Sequence, residues 1–382
     1  MGINIIPKER DEKSDISRLE IKYNRGSVES PNRFITKVDI NAKDNIGADI
    51  PLTRTRKLFL GEEFINPSTI NLILNNNGYL GIMLAKYQKF LLRLRNSDPL
   101  RLIFPKFTKN GKEEFQSLNN SSQNRVIHFI FQLIQELSNG NSMLDGFCIQ
   151  YDILSKEARQ YLENQDLPFI PVVDMHEESK IINKQIDDYL QMSSSTVPFI
   201  GLTYSTLTRT NLAFNKVISV IDKLHEQGKG FITVDSPRVS GVYSEDPDVS
   251  ALHYSNFVSS DLSAEKSYVG GKSSNLKIKL FEKTDLVVSE LGVLHDPKEH
   301  KDEINFLNED KKLKELLINM ISGEGHLKEQ DKERAKNLSR VHENVFTNSE
   351  YEEMRKSLIN NELSFYRSKK RRLNQLLLNE GR

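Results

Sequence analysis

The chain has 382 residues, 37% hydrophobic and 28% charged, which is enough for a sizeable core and excludes wholesale disorder. Its 53 basic residues balance 53 acidic ones, so no global field draws it to nucleic acid or a membrane surface, and any such contact must come from a local patch. The single cysteine, Cys148, excludes an intramolecular disulfide framework and any zinc site built on two or more thiolates of this chain, and points to a reducing compartment.

The N-terminus carries no basic segment followed by a long apolar run, and no stretch approaches the roughly 18 apolar residues that span a bilayer. A cytoplasmic protein with no membrane partner is expected. Residues 8–33 (KERDEKSDISRLEIKYNRGSVESPNR) are polar and aperiodic, too poor in apolar groups to offset the entropy of ordering them. The expectation for 1–33 is therefore a mobile polar arm. Next, 34–40 and 52–60 have strand-like content, and helical patterns cover 66–74 and 81–94, separated by the turn Asn75-Asn76-Asn77-Gly78.

From there short apolar runs alternate with helical patterns. The runs are 102–107, 146–152, 169–174, 199–204 and 231–235, and their near-continuous apolarity suits strands buried on both faces of a parallel sheet. In 124–138, Ile127, Phe131, Ile134 and Leu137 recur at helical spacing, as do Leu212, Val217, Ile218, Ile221 and Leu224 in 209–227, where Gly228 follows as a cap. Less clear strands at 52–60, 250–257 and 286–291 bring the βα units to about eight. The fold class expected is α/β, a (β/α)8 TIM-like barrel over 34–295, with a charged helical C-terminal extension over 296–382.

Barrel enzymes react at the C-terminal ends of their strands, where the βα loops form a concavity. Asp152, Asp174 and Asp235 close three strands; His176 follows Asp174, Arg238 follows Asp235, and Thr203 and Tyr204 end another. Carboxylates with a histidine suit general acid–base work or a divalent cation, although aspartate at a strand end also caps the next helix. The segment SALHYSNFVSSDLSAEKSYVGG at 250–271 adds a dense polar set with His253, Asn256, Asp261 and Glu265. From these, Asp174, Asp235, Asp261 and Glu265 are taken as catalytic candidates, and Asp152, His176, Tyr204, Arg238, His253 and Asn256 as substrate-binding candidates. No metal site and no cofactor are assigned. The basic run Lys369, Lys370, Arg371 and Arg372 is a candidate phosphate contact.

The C-terminal stretch NLSRVHENVFTNSEYEEMRKSLINNELSFYRSKKRRL at 337–373 resembles the helix that closes the barrel of tRNA-guanine transglycosylases, with Leu338, His342, Met354-Arg355 and Asn361-Glu362 in the matching places. The resemblance covers about 35 residues. It implies tRNA or a related nucleic acid as ligand. The family's three zinc cysteines and its early Asp-Ser-Gly-Gly motif have no counterpart here. Ala264 stands, beside Glu265, where the family's nucleophilic aspartate lies, so base exchange is in doubt. Three functions stay open: a diverged transglycosylase-like barrel that binds tRNA, a barrel enzyme acting on a small metabolite by acid–base or metal-assisted chemistry, and a scaffold in a protein assembly. Self-association is compatible with each.

Overall fold

The computed structural model describes residues 2–11, 16–47, 58–94, 98–139, 144–204, 212–236, 256, 260–265, 279–282, 287–290, 311–321, 329–370 and 373–375. The chain opens with three antiparallel strands, β1 (Asn4–Asp11), β2 (Ile16–Tyr23) and β3 (Gly26–Glu29). This corrects the expected mobile arm. Only one face of this small sheet is apolar, which is why its composition reads as polar. That face carries Ile3, Ile5, Leu19, Ile21, Tyr23 and Val28, which share one core with residues inside the barrel described next.

Eight parallel strands follow: β4 (Asn32–Arg33), β5 (Leu58–Ile65), β6 (Leu100–Phe107), β7 (Gly146–Ile149), β8 (Phe169–Val173), β9 (Phe199–Thr203), β10 (Gly230–Ser236) and β11 (Leu262–Glu265). They pair in chain order from β5 to β11, and β11 then pairs with β4 through Leu262↔Asn32 and Ser263↔Arg33. A parallel bridge between Ile35 and Phe59 joins β4 to β5 and completes the circle. The protein is thus a TIM-like α/β barrel, as its alternating pattern implies.

Helices ring the barrel between strands: α1 (Lys37–Ile46), α2 (Pro67–Asn75), α3 (Tyr79–Leu92), α4 (Lys109–Ser117), α5 (Asn120–Ser138), α6 (Lys156–Glu163), α7 (Ser179–Gln191) and α8 (Leu212–Glu226). Their ends obey local chemistry. Asn119 caps α5 by accepting from the Ser122 amide at 2.9 Å, and Thr36 and Asp39 form a capping box at α1. One face of α5 buries Val126, Ile127, Ile130, Ile134 and Leu137 against the strands, as its periodicity predicts.

The C-terminal extension contains α9 (Lys311–Ile321), α10 (Glu329–Ile359) and α11 (Leu363–Ser368). Helix α10 packs along α1, in the place of the eighth barrel helix. Two strand expectations are revised. The run 34–40 is mostly the first turn of α1, and 286–291 corresponds to β13 (Val287–Glu290), which pairs antiparallel with β12 (Lys279–Glu282) outside the barrel. The eighth barrel strand is β11, and the expected strand at 250–257 lies, Asn256 apart, outside the described residues.

The small N-terminal sheet plugs the barrel's N-terminal end. A Cβ on Gly230, the first residue of β10, would lie 2.5 Å from the Phe199 ring and 3.1 Å from Ile5, so glycine is required where sheet and barrel meet. Arg25, in the turn between β2 and β3, pairs with Asp145 just before β7, and Tyr23 donates to the Asp98 carbonyl at 3.0 Å. With that end closed, the C-terminal mouth is the end at which a ligand can enter.

Candidate active site

Side chains alternate along a strand, so every second residue faces the lumen. Leu58, Leu60, Leu100, Leu102, Phe104, Cys148, Ile170, Val172, Phe199, Ile232, Val234, Leu262 and Ala264 form one apolar cluster at that spacing. Continuing the same phase toward the mouth, β5 reaches Glu62 and β6 reaches Lys106. These two charged side chains end lumen rows that are otherwise apolar.

The Lys106 ammonium pairs with the Asp235 carboxylate and lies 3.9 Å from Glu62 Oε1. Strands β6 and β10 are four places apart in an eight-membered ring, so the Lys106–Asp235 pair crosses the barrel and forms the floor of the mouth. A backbone irregularity places Asp235 there. Thr233 pairs with Ser263, but Ser236 pairs with Glu265, so β10 holds one extra residue relative to β11, and Asp235 takes a left-handed φ of 62°. Such a bulge re-aims a side chain, and aspartate is among the few non-glycine residues that tolerate this conformation.

The pair is largely withdrawn from solvent, with side-chain exposures of 14% for Lys106 and 11% for Asp235, and Glu62 at 2%. The Phe64 and Phe104 rings lie 5.8 and 5.9 Å from the ammonium. Cys148 sits deeper in the same lumen. Burial, reinforced by the Glu62 carboxylate, pushes its thiol far above the ordinary range, so it is neither a nucleophile nor a ligand at neutral pH.

The rim of the mouth carries a second set. Asp174, just past β8, accepts from the His176 amide at 3.0 Å, from His176 Nδ1 at 2.9 Å and from the Thr203 hydroxyl at 3.3 Å. Burial would raise the Asp174 carboxyl, but the two His176 hydrogen bonds and the nearby charges of His176 and Lys112 outweigh it and hold it below its ordinary value. It therefore stays ionised and fixes the exposed imidazole. Beside it Lys112 joins Asp152 at 3.0 Å and Glu177 at 3.3 Å. Burial alone would lower the Lys112 ammonium, but these two carboxylates raise it.

The structure thus brings Asp152, Asp174, His176 and Asp235 to one mouth. Four other candidates do not join them. Asp261 lies at the opposite end of its strand, buried, accepting from the Phe231 amide at 2.7 Å and from His225 Nε2 at 3.1 Å. Glu265 faces outward under α10, accepting from Arg33 at 2.9 Å and Arg340 at 2.8 Å. Asn256 is buried and donates to Ser263 at 3.0 Å and Tyr351 at 2.7 Å. Tyr204 contributes its ring to the apolar layer between barrel and helices. Arg238, His253, Arg371 and Arg372 lie outside the described residues. Of the basic run, Lys370 is buried 2.7 Å from Glu350, and Lys369 rests 4.3 Å from the Phe365 ring centroid.

Glu62 and Lys106 are not among the candidates that the sequence offers at strand ends, in the 250–271 segment or in the basic run. Their signal was present as a charge in phase with Leu58 and Leu60, or with Leu100, Leu102 and Phe104. Among the described residues no group of three or more His, Cys, Asp or Glu side chains is placed to hold a metal ion, and no helix is long and apolar enough to cross a membrane. Fold and mouth together define the class, a TIM-like barrel with an ionised floor at the end where such barrels do chemistry. No family model and no curated protein matches the chain.

Proposed function

We propose that the protein is an enzyme that acts on a small polar metabolite by proton transfer at the barrel mouth. Lys106 and Asp235 serve as the acid–base pair on the floor, and the Asp174–His176 pair as a second proton acceptor at the rim. The observation that carries this reading is the ion pair across the lumen, reached through a bulged, left-handed Asp235. A buried pair in a strained setting is dear in stability terms, and such features concentrate where function needs them.

The transglycosylase-like reading, with tRNA as ligand, draws support from α10, which packs beside α1 where a closing helix would stand. Against it, Lys370 is committed to Glu350 and Lys369 leans on Phe365, so half of the basic run already has partners within the protein. Glu265, a candidate for the sugar's partner, is held by two arginines.

One experiment separates the two. The full chain is screened by thermal shift against small polar metabolites, and the stabilising ones are followed by proton NMR in heavy water. Acid–base chemistry predicts deuterium incorporation that is lost in Lys106→Met and in Asp235→Asn. Total tRNA at low and moderate salt is the parallel arm. Salt-sensitive tRNA retention without any metabolite exchange would replace this reading with the transglycosylase-like one.

A further inference from the structure

Resting on that reading of the mouth, we infer that Lys106 is a nucleophile and that the substrate is a small aldehyde or ketone, held as an iminium ion on Nζ. Among the described residues Lys106 is the one lysine on the eight barrel strands. Its amine lies at the mouth end of the lumen, and its side chain keeps 14% exposure. The other nucleophile in that lumen, Cys148, is kept protonated by burial.

The surroundings of Nζ suit a cation throughout such a reaction. Asp235 contacts it directly and Glu62 stands at 3.9 Å, so two negative charges face one positive one. Ammonium and iminium carry the same charge on the same nitrogen, and a site built for one stabilises the other. The Phe64 and Phe104 rings flank that nitrogen and limit water there, which opposes hydrolysis of the adduct. An ion pair kept for stability alone would be replaced without loss by the branched apolar residues that fill the rest of the lumen.

The chemistry balances with the groups present. Asp235 takes one proton from the ammonium, and the freed lone pair forms a C–N bond to the carbonyl carbon while the C–O π pair moves onto oxygen. The oxygen receives that proton from Asp235. Glu62 removes a second proton from nitrogen and passes it to the hydroxyl, which leaves as water when the C–O bond breaks. The nitrogen lone pair then closes the C=N bond. One carbonyl compound and one ammonium yield one iminium ion and one water, with no net proton gained or lost. The iminium draws electrons from the adjacent carbon, and Asp235, again a carboxylate, is placed to accept a proton from that carbon.

The test is reductive trapping. The full chain is incubated separately with glyoxylate, pyruvate, acetaldehyde and dihydroxyacetone, treated with sodium borohydride, and analysed by intact mass and peptide mapping. The expected result is an adduct on Lys106, about ten-fold above any surface lysine, for at least one probe. Lys106→Arg keeps the charge and should lose that adduct. Because the site is also read from the mapped peptide of the unaltered protein, the result does not depend on the variant folding. Adducts spread evenly over surface lysines, or none on Lys106 with any probe, would overturn the inference. Lys106-dependent deuterium exchange without a reducible adduct would overturn it too, and would leave the acid–base reading standing.

Discussion

Asp235 holds a left-handed backbone, with φ at 62°, that costs a non-glycine residue about 1–2 kcal/mol. Its reward is a carboxylate pointed at Lys106 in a lumen otherwise filled by apolar groups. If these charges exist for chemistry, stability should not suffer when Lys106, Asp235 and the nearby Glu62 are neutralised together. Asp235→Asn keeps a residue that accepts the left-handed region but leaves the ammonium facing Glu62 alone, and it should cost about 1–3 kcal/mol in urea unfolding. Adding Lys106→Met and Glu62→Gln removes the two remaining charges together and should recover that loss while abolishing metabolite exchange. A triple variant less stable than Asp235→Asn alone would mean that the charges hold the barrel together. Asp174 and Asp235 were legible in the sequence because each closes an apolar run. Glu62 and Lys106 were not, because a charge near the end of a buried strand is visible only once the two-residue phase of the lumen is known.

At the level of elements, the contact that matters most for shape is α10 against β4, β11 and α1. Arg33, fully buried, donates to Glu265 at 2.9 Å and to Glu343 at 3.0 Å, and Arg340 donates to Asp39 and Glu265, both at 2.8 Å. Three carboxylates and two guanidinium groups are therefore solvated by one another in place of water. Removing one member of such a network costs far more than the network contributes as a whole. Arg33→Met should lower stability by about 3–5 kcal/mol, because it takes a guanidinium from Glu343 and Glu265 and leaves Arg340 alone among three buried carboxylates. Arg340→Met should cost less, since that side chain is 15% exposed and water can enter. Equal and small losses for both, measured by urea unfolding, would show that water or rearrangement replaces the missing charge readily. The strands from β6 to β10 could be read in advance because burial on both faces writes them as continuous apolar runs. The strands β1–β3 could not, because they bury one face and their polar face dominates the composition.

Across the whole molecule, the barrel closes between residues near 33 and residues near 263, a pairing that no local pattern encodes. The count of βα units made closure legible, but which segment served as the eighth strand was not. Its two ends differ: the N-terminal end is plugged by β1–β3 and stitched by Arg25 to Asp145, and the mouth carries the Lys106–Asp235 pair. That stitch gives the folded protein an unusual pH signature. Burial raises the Asp145 carboxyl from its ordinary 3.8 to about 6, in spite of Arg25 and the Arg101 amide. The folded state therefore binds this proton more tightly than the unfolded chain does. The associated stability is complete below about pH 4 and is lost as pH rises through about 6. Asp39 behaves oppositely. Burial would raise it, but Arg340, Arg33 and the hydrogen bonds from Thr36 and Asn344 hold it well below the usual range, so its contribution is present above about pH 4 and is lost in stronger acid. Between pH 7 and about 4.5 only Asp145 of these two titrates. The stability of the unaltered protein relative to Asp145→Asn should thus rise over that window by about 2 kcal/mol, read from urea midpoints at each pH. Parallel curves for the two proteins would mean that Asp145 is as ionisable at the plugged end as in water, and that the plug is looser than its buried residues imply.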